Sequence, residues 1–368
     1  MKRDLQNRKK KKWVLSILSI IPLSMLLLLF LLIFPSDKKE RNQEEIIAKE
    51  RSGVAGIITG AAARIPQEGA LLEELDRRGL LKDLVFISGV SSGALNAIML
   101  NGILSRKITW EDYYELLDSL DNHHIFIQDE KKIPVNTAPA RDLYQKVFEE
   151  KLGYYTMGDL PFATSISFTH LEDLKLRRTE YRMCSRKINE ESDTTLSVVD
   201  VAMASSAFPL VFPPVRIRNV TTIPDVEFVD GGLGEDHVPW RALLQFEKFR
   251  GTGVERVYII SRESDDAPAI SEELKGFGIN DKGIFDRLGI SFDAILTRGI
   301  IRGIIEYATE APELVPLTYV WIPHLDADFL FFNFDNLGEQ YTLTSKWAKT
   351  NDPVRLGDFL LPHLLKEK

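Results

Sequence analysis

The chain of 368 residues contains one cysteine, Cys184. A single thiol closes no intramolecular disulfide and provides no cysteine-based metal site, so burial of apolar surface must hold the fold together. Cys184 reads as a small buried apolar side chain rather than a reactive one. Histidine is scarce too, with six in the whole sequence. Basic residues are in deficit: 46 Lys and Arg stand against 54 Asp and Glu, a net charge of −8. Such a chain does not match a nucleic-acid backbone, and no nucleic-acid partner is expected. There is no internal repeat, and no low-complexity tract outside one apolar run.

That run carries no charged residue from Trp13 to Phe34 and follows a basic start, Lys2, Arg3, Arg8 and Lys9 to Lys12. As a helix it would reach about 33 Å, against a bilayer core of roughly 30 Å. No polar face recurs every three or four residues within it, which argues against a core helix. It also exceeds the apolar stretch of a cleaved signal peptide, about 7–15 residues. The expectation is a cytoplasmic basic tail over 1–12, one transmembrane helix over 13–34 that ties the protein to the bilayer, and a charged linker or stalk over 35–52. Seven basic residues before the span, against Lys38, Lys39, Arg41 and Lys49 after it, put the N-terminus in the cytoplasm and the rest of the chain on the non-cytoplasmic side. Beyond the span, 39 Lys and Arg face 53 Asp and Glu, a balance that offers an anionic surface no general attraction.

From Gly53 the pattern alternates between short β-type runs and longer helical ones. Strands are predicted over Val54 to Thr59, Leu84 to Ser88, Ala163 to Thr169, Leu176 to Met183, Val226 to Val229 and Val254 to Ile260. Helices are predicted over Gln67 to Arg78, Ser92 to Leu104, Val198 to Ser206, Trp240 to Phe249 and, in the C-terminal region, Ile284 to Ala308. Strand and helix in alternation imply an α/β fold, a mostly parallel sheet covered on both faces. A core over 53–262 and a C-terminal extension over 263–368 that packs on it follow.

Two short motifs carry chemistry. Gly89-Val90-Ser91-Ser92-Gly93 fits G-x-S-x-G between an apolar strand and a helix. That is the setting of a nucleophile elbow, where glycines at both flanks remove Cβ atoms that would clash and the serine is thrust out at a helix N-terminus. Ser88 and Ser92 lack glycines at those offsets. Phe228-Val229-Asp230-Gly231-Gly232 ends a β-type run in an acid and two glycines, so Asp230 can point into a site at the strand ends, where open α/β sheets place their chemistry. Of the histidines only His237 lies beside a motif, too close behind Asp230 for a later triad member on a separate strand.

These residues resemble the patatin-like phospholipase family, whose Ser-Asp dyad uses G-x-S-x-G and an Asp-Gly-Gly or Asp-Gly-Ala motif. Ser197 to Pro209 followed by Phe212-Pro213-Pro214, and Met157-Gly158-Asp159-Leu160-Pro161 ahead of a strand, resemble the family in the same order. The resemblance implies a three-layer α/β/α patatin-like domain with Ser91 as nucleophile, Asp230 as its base, and no cofactor or metal. It implies a carboxylic ester hydrolase acting on lipids or lipid-like acyl esters, with lipid as its partner; nothing in the sequence points to a protein partner. The family's oxyanion loop is a glycine-rich G-G-G-x-R/K-G run, and here the stretch reads Gly60-Ala61-Ala62-Ala63-Arg64-Ile65-Pro66. Gly60 is kept and Arg64 takes the basic position. Ala61 and Ala62 still donate their N–H groups but adopt positive φ at a cost that glycine avoids. With Gly89, Gly93, Gly231 and Gly232, these residues make up the expected oxyanion and elbow set. Two other readings stay open: a Ser-His-Asp hydrolase using His324 or His363, and a catalytically degenerate, membrane-tethered binding or scaffold protein.

Overall fold

In a computed structural model of the chain, the described residues are 50–127, 133–171, 178–185, 188, 193–217, 220, 226–233, 236–263, 299–327 and 329–366. The predicted tail over 1–12, the span over 13–34 and the linker up to residue 49 lie outside them, as does the predicted helix from 284 up to residue 298. The single-pass membrane placement is corrected. Among the described residues no helix is long and apolar enough to cross a membrane. The longest described helices have 13 residues, which at 1.5 Å each reach only about 20 Å of the roughly 30 Å required.

Among the described residues a nine-stranded sheet forms the centre. Its middle is parallel: β1 (Val54–Ile58) lies between β2 (Leu84–Val90) and β7 (Arg256–Ile260), with β3 (Ala163–Leu171) beyond β2 and β8 (Thr318–Trp321) beyond β7. Antiparallel pairs finish the margins: β4 (Arg178–Cys184) and β6 (Glu227–Asp230) on β3, β5 (Val215–Arg216) on β6, and β9 (Val354–Arg355) on β8. The central strands are buried but for half-buried Val85 and Arg256, as expected for a sheet covered on both faces.

Alternation along those strands divides the core. Ala55, Ile57, Phe86, Val257 and Ile259 join one apolar cluster, while Val54, Ile58, Leu84, Ile87, Tyr258 and Ile260 join another. On the second side lie α1 (Ile65–Arg77), α2 (Ser92–Leu104) and α8 (Leu337–Ala348), and on the first α6 (Arg241–Arg250), α7 (Gly299–Glu310) and α9 (Leu356–Lys366). This is the three-layer arrangement expected. A third cluster collects α2, α3 (Trp110–Asp118), α4 (Ala138–Tyr144) and α5 (Val198–Ser205). Two boundaries differ from expectation. Residues 50–52, assigned to the linker, pair onto the core: the Gly253 N–H donates to the Glu50 carbonyl at 2.8 Å and the Ser52 N–H to the Gly253 carbonyl at 2.9 Å. The C-terminal region contributes β8 and β9 to the sheet itself.

Candidate active site

Ser91 sits between β2 and α2 with φ 57 and ψ −129. A non-glycine residue at positive φ is strained by about 1–3 kcal/mol and persists only where its surroundings over-determine it. Here they do. A Cβ on Gly89 would stand 2.3 Å from the Gly93 carbonyl oxygen, and one on Gly93 would stand 2.1 Å from that of Thr59. Only glycine at both positions lets strand, turn and helix approach this closely. The Ser91 N–H donates to Ser205 Oγ at 2.9 Å, and the Ser205 hydroxyl donates to the Ser167 carbonyl at 2.7 Å. Sequence reading did not single out Ser205; its role is visible only once α5 packs beside the elbow. The alternative hydroxyls are otherwise engaged. Ser88 Oγ donates to the Pro239 carbonyl at 2.6 Å, and Ser92 Oγ accepts the Ala61 N–H at 2.6 Å.

Asp230 reaches the serine from the opposite direction. Along β3, Ala163 to Ser167 pair with β2 and Phe168 to His170 pair with β6, while β4 runs beside Ser165 to Leu171. A strand has two edges, so β2 and β6 share the one that β4 leaves. β2 runs parallel to β3 and β6 antiparallel, so their C-terminal ends abut, with Val90 opposite Ser167 and Asp230 opposite Phe168. Gly231 lies at the junction, where a Cβ would be 2.8 Å from the Ser167 carbonyl oxygen and 2.9 Å from Val90 Cγ2. The Asp230 carboxyl lies close enough to the Ser91 side chain for the serine to stabilise its ionised form, and it accepts the Gly232 N–H at 2.8 Å. It is 3% exposed. Burial pushes its pKa up to about 7, against the opposing pull of Ser91 and of the Gly232 N–H. A carboxyl near 7 beside a serine hydroxyl has the proton affinity a general base needs.

The loop after β1 flanks Ser91 from a third side. Gly60 lies so near that a Cβ on it would be 3.0 Å from Ser91 Cβ. Ala61 has φ −133, whereas Ala62 has φ 44, the left-handed value that glycine would adopt freely. The Ala61 N–H is taken by Ser92 Oγ, the Ala63 N–H donates to the Phe331 carbonyl at 2.9 Å, and the Arg64 N–H donates to the Ala61 carbonyl at 2.9 Å. Among the described residues the Ala62 N–H meets no acceptor, and Ala62 lines the same cavity as Ser91. The Arg64 side chain bonds to two carbonyls. Its Nε and Nη2 donate to the Phe329 carbonyl at 3.0 and 2.5 Å, and its Nη1 to the Glu263 carbonyl at 3.4 Å. It therefore ties the loop to the C-terminal region.

The cavity beside Ser91 encloses about 840 Å³, part of it open to solvent. Leu95, Leu117, Leu143, Tyr144, Phe212 and Phe332 are among its walls, and no charged or histidine side chain lines it among the described residues. His237 packs on α7, where a Cβ on Gly299 would lie 2.5 Å from its ring. His324 is exposed and faces Glu263 at 3.4 Å. The side chain of His363 lies outside the described ones.

Comparison with known proteins gives a family match. The family model "Patatin-like phospholipase" matches residues 53–244, just over half of the chain. No curated protein matches the chain. Among solved structures, VipD from Legionella pneumophila is similar at 12% identity and a TM-score of 0.40, covering 82% of this chain and 67% of that one. The type III effector ExoU is similar at 11% identity and 0.40, covering 82% and 53%. Full-length ExoU from Pseudomonas aeruginosa, in complex with SpcU, is similar at 15% identity and 0.30, covering 73% and 60%. The chain thus spans between half and two thirds of the length of these proteins.

Proposed function

The chain belongs to the patatin-like phospholipase family, whose members are lipid acyl hydrolases and so carboxylic ester hydrolases, and from that premise we propose that Ser91 and Asp230 carry its reaction as a dyad. The observation behind this reading is the meeting of the β2 and β6 ends, which sets Asp230 beside Ser91, with Ser91 at the wall of an apolar cavity and the carboxyl held at about 7. The Asp230 carboxylate accepts the Ser91 hydroxyl proton as Oγ attacks the ester carbonyl carbon. The tetrahedral oxyanion is met by the Ala62 N–H and by the first N–H groups of α2, which have no intrahelical acceptor. Collapse expels the alcohol, which leaves with the proton from Asp230. Water then attacks the acyl-enzyme, giving its proton to Asp230, and the free acid departs as that proton returns to Ser91 Oγ.

The substrate follows from the cavity. Its walls carry no charge among the described residues, which suits an acyl chain and offers a phosphate headgroup no cation among them. The substrate class is a lipid or lipid-like ester bound by its acyl chain. Within this reading, 53–262 is the catalytic core, Gly89, Gly93, Gly231 and Gly232 shape the two strand ends, and Gly60 and Ala62 border the oxyanion. The test is labelling of the purified protein with a fluorophosphonate, expected to modify Ser91 and to fail in Ser91→Ala. Undiminished labelling or ester hydrolysis in Ser91→Ala would discard the proposal.

A further inference from the structure

The loop that borders the oxyanion lacks the glycines that would let it keep its shape unaided, and its shape is held from elsewhere. The Gly60 carbonyl accepts Arg262 Nε at 3.0 Å. The Ala63 carbonyl accepts Gln340 Nε2 at 3.0 Å, and the Ala63 N–H donates to the Phe331 carbonyl at 2.9 Å. Gln340 is itself fixed, because its Oε1 accepts Gln67 Nε2 at 3.2 Å, and Gln67 Oε1 accepts the Glu263 N–H at 2.9 Å. Gln67 and Gln340 have no exposed surface and Arg262 is 3% exposed. Arg262, Glu263, Phe331 and Gln340 all lie beyond residue 244, where the family match ends.

We propose that Arg262 and Gln340 are positioning residues that complete the oxyanion site by pinning the carbonyls at the two ends of the 60–63 loop. The proposal deepens the Ser91–Asp230 reading and rests on it. Its logic is conformational. Between the two pinned peptide planes stands Ala62 at φ 44, a geometry that an alanine leaves for negative φ whenever its neighbours allow. Relaxation would rotate the adjoining peptides and turn the Ala62 N–H away from the cavity. Donors on side chains without solvent have no water to exchange for these carbonyls, so each bond resists that rotation. A loop of glycines would need no such restraint. Alanines in the loop and donors from the C-terminal region form one device.

The experiment compares wild type with Gln340→Met, which keeps the volume and removes the donor, and with Arg262→Met, by peptide-resolved hydrogen exchange and by steady-state hydrolysis of a p-nitrophenyl acyl ester. In each variant, amides 60–65 are expected to exchange at least about tenfold faster while those of α2 keep their rate, a change that needs no activity to be read. kcat is expected to fall about 10–100-fold, within the range for losing one oxyanion donor, with KM and the pH midpoint unchanged. In an Ala62→Gly background the kcat loss from Gln340→Met should shrink, since glycine holds φ 44 unaided. Unchanged exchange over 60–65 in both variants, an effect on KM alone, or an equal loss in the glycine background overturns the proposal. Wild-type protein without Ser91-dependent hydrolysis would instead sink the dyad, and the exchange result would still decide the restraint.

Discussion

The elbow and the loop beside it put two residues at positive φ within one site, and they get there differently. Ser91 is held by its own neighbourhood: two glycines within two positions of it, a strand behind and a helix ahead. Ala62 has no such local reason for φ 44, and the bonds that restrain its segment come from residues 202 and 277 positions later. Strain that sequence neighbours impose can be written as a motif. Strain imposed across the fold cannot, although the backbone result is alike.

The largest expected effect breaks the elbow's chemistry. Ser91→Ala and Asp230→Asn should each lower kcat of ester hydrolysis by about 10³-fold or more, with circular dichroism unchanged. Full activity in Asp230→Asn would remove the carboxyl from the mechanism.

Next comes the elbow's geometry. In Gly93→Ala the new methyl meets the Thr59 carbonyl at 2.1 Å, backbone against backbone, and overpacking of this kind costs about 1–3 kcal/mol or more. Urea unfolding should show that loss or no folded protein. A midpoint like that of wild type would mean the elbow can open.

Smaller and graded is the effect of pH. kcat should fall about tenfold per pH unit below roughly 7 as Asp230 is protonated. Stability runs the other way. Asp230, raised from 3.8 to about 7 by burial, and Glu68, raised from 4.5 to about 8 by burial against hydrogen bonds from Thr59 and Asn96 and the charge of Arg262, both bind their protons more tightly in the folded chain. Their contribution is fully present below the unfolded values and lost as pH rises through about 7 and about 8. Unfolding free energy should therefore decline between pH 4 and 8, and Glu68→Gln should flatten the decline. A rise in stability over that window would contradict the burial of both groups.

The smallest effect is Ala62→Gly in otherwise wild-type protein. Relief of a left-handed alanine, about 1–2 kcal/mol, is offset by the greater entropy that glycine loses on folding, about 0.5–1 kcal/mol, so Tm and kcat should move little. A hundredfold loss of kcat would show that the alanine methyl itself is needed.

Much of the centre was legible. The apolar runs at Val54, Leu84 and Ala163 and the helix over Ser92 to Leu104 form where periodicity put them, because a doubly covered sheet demands continuous apolar strands. β5, β8 and β9 went unseen: β5 and β9 have two residues each, too few for a period to show, and no motif marks the four of β8. The head-to-head meeting of β2 and β6 was hidden as well, since strand direction depends on the chain between strands and not on the motif that ends them. The partners of Arg64 could not be read from the sequence for a related reason. A basic residue in the family's position says nothing of which carbonyls lie around it, and here they belong to Glu263 and Phe329.

The bond between Ala63 and Gln340 spans 277 positions of chain. A ribosome builds from the N-terminus, so Ser91 and Asp230 emerge more than a hundred residues before Gln340 does. The site is thus assembled in two instalments, reactive pair first and restraint last. During synthesis the growing chain carries its serine and its acid while the loop beside them still waits for the segment that will hold it.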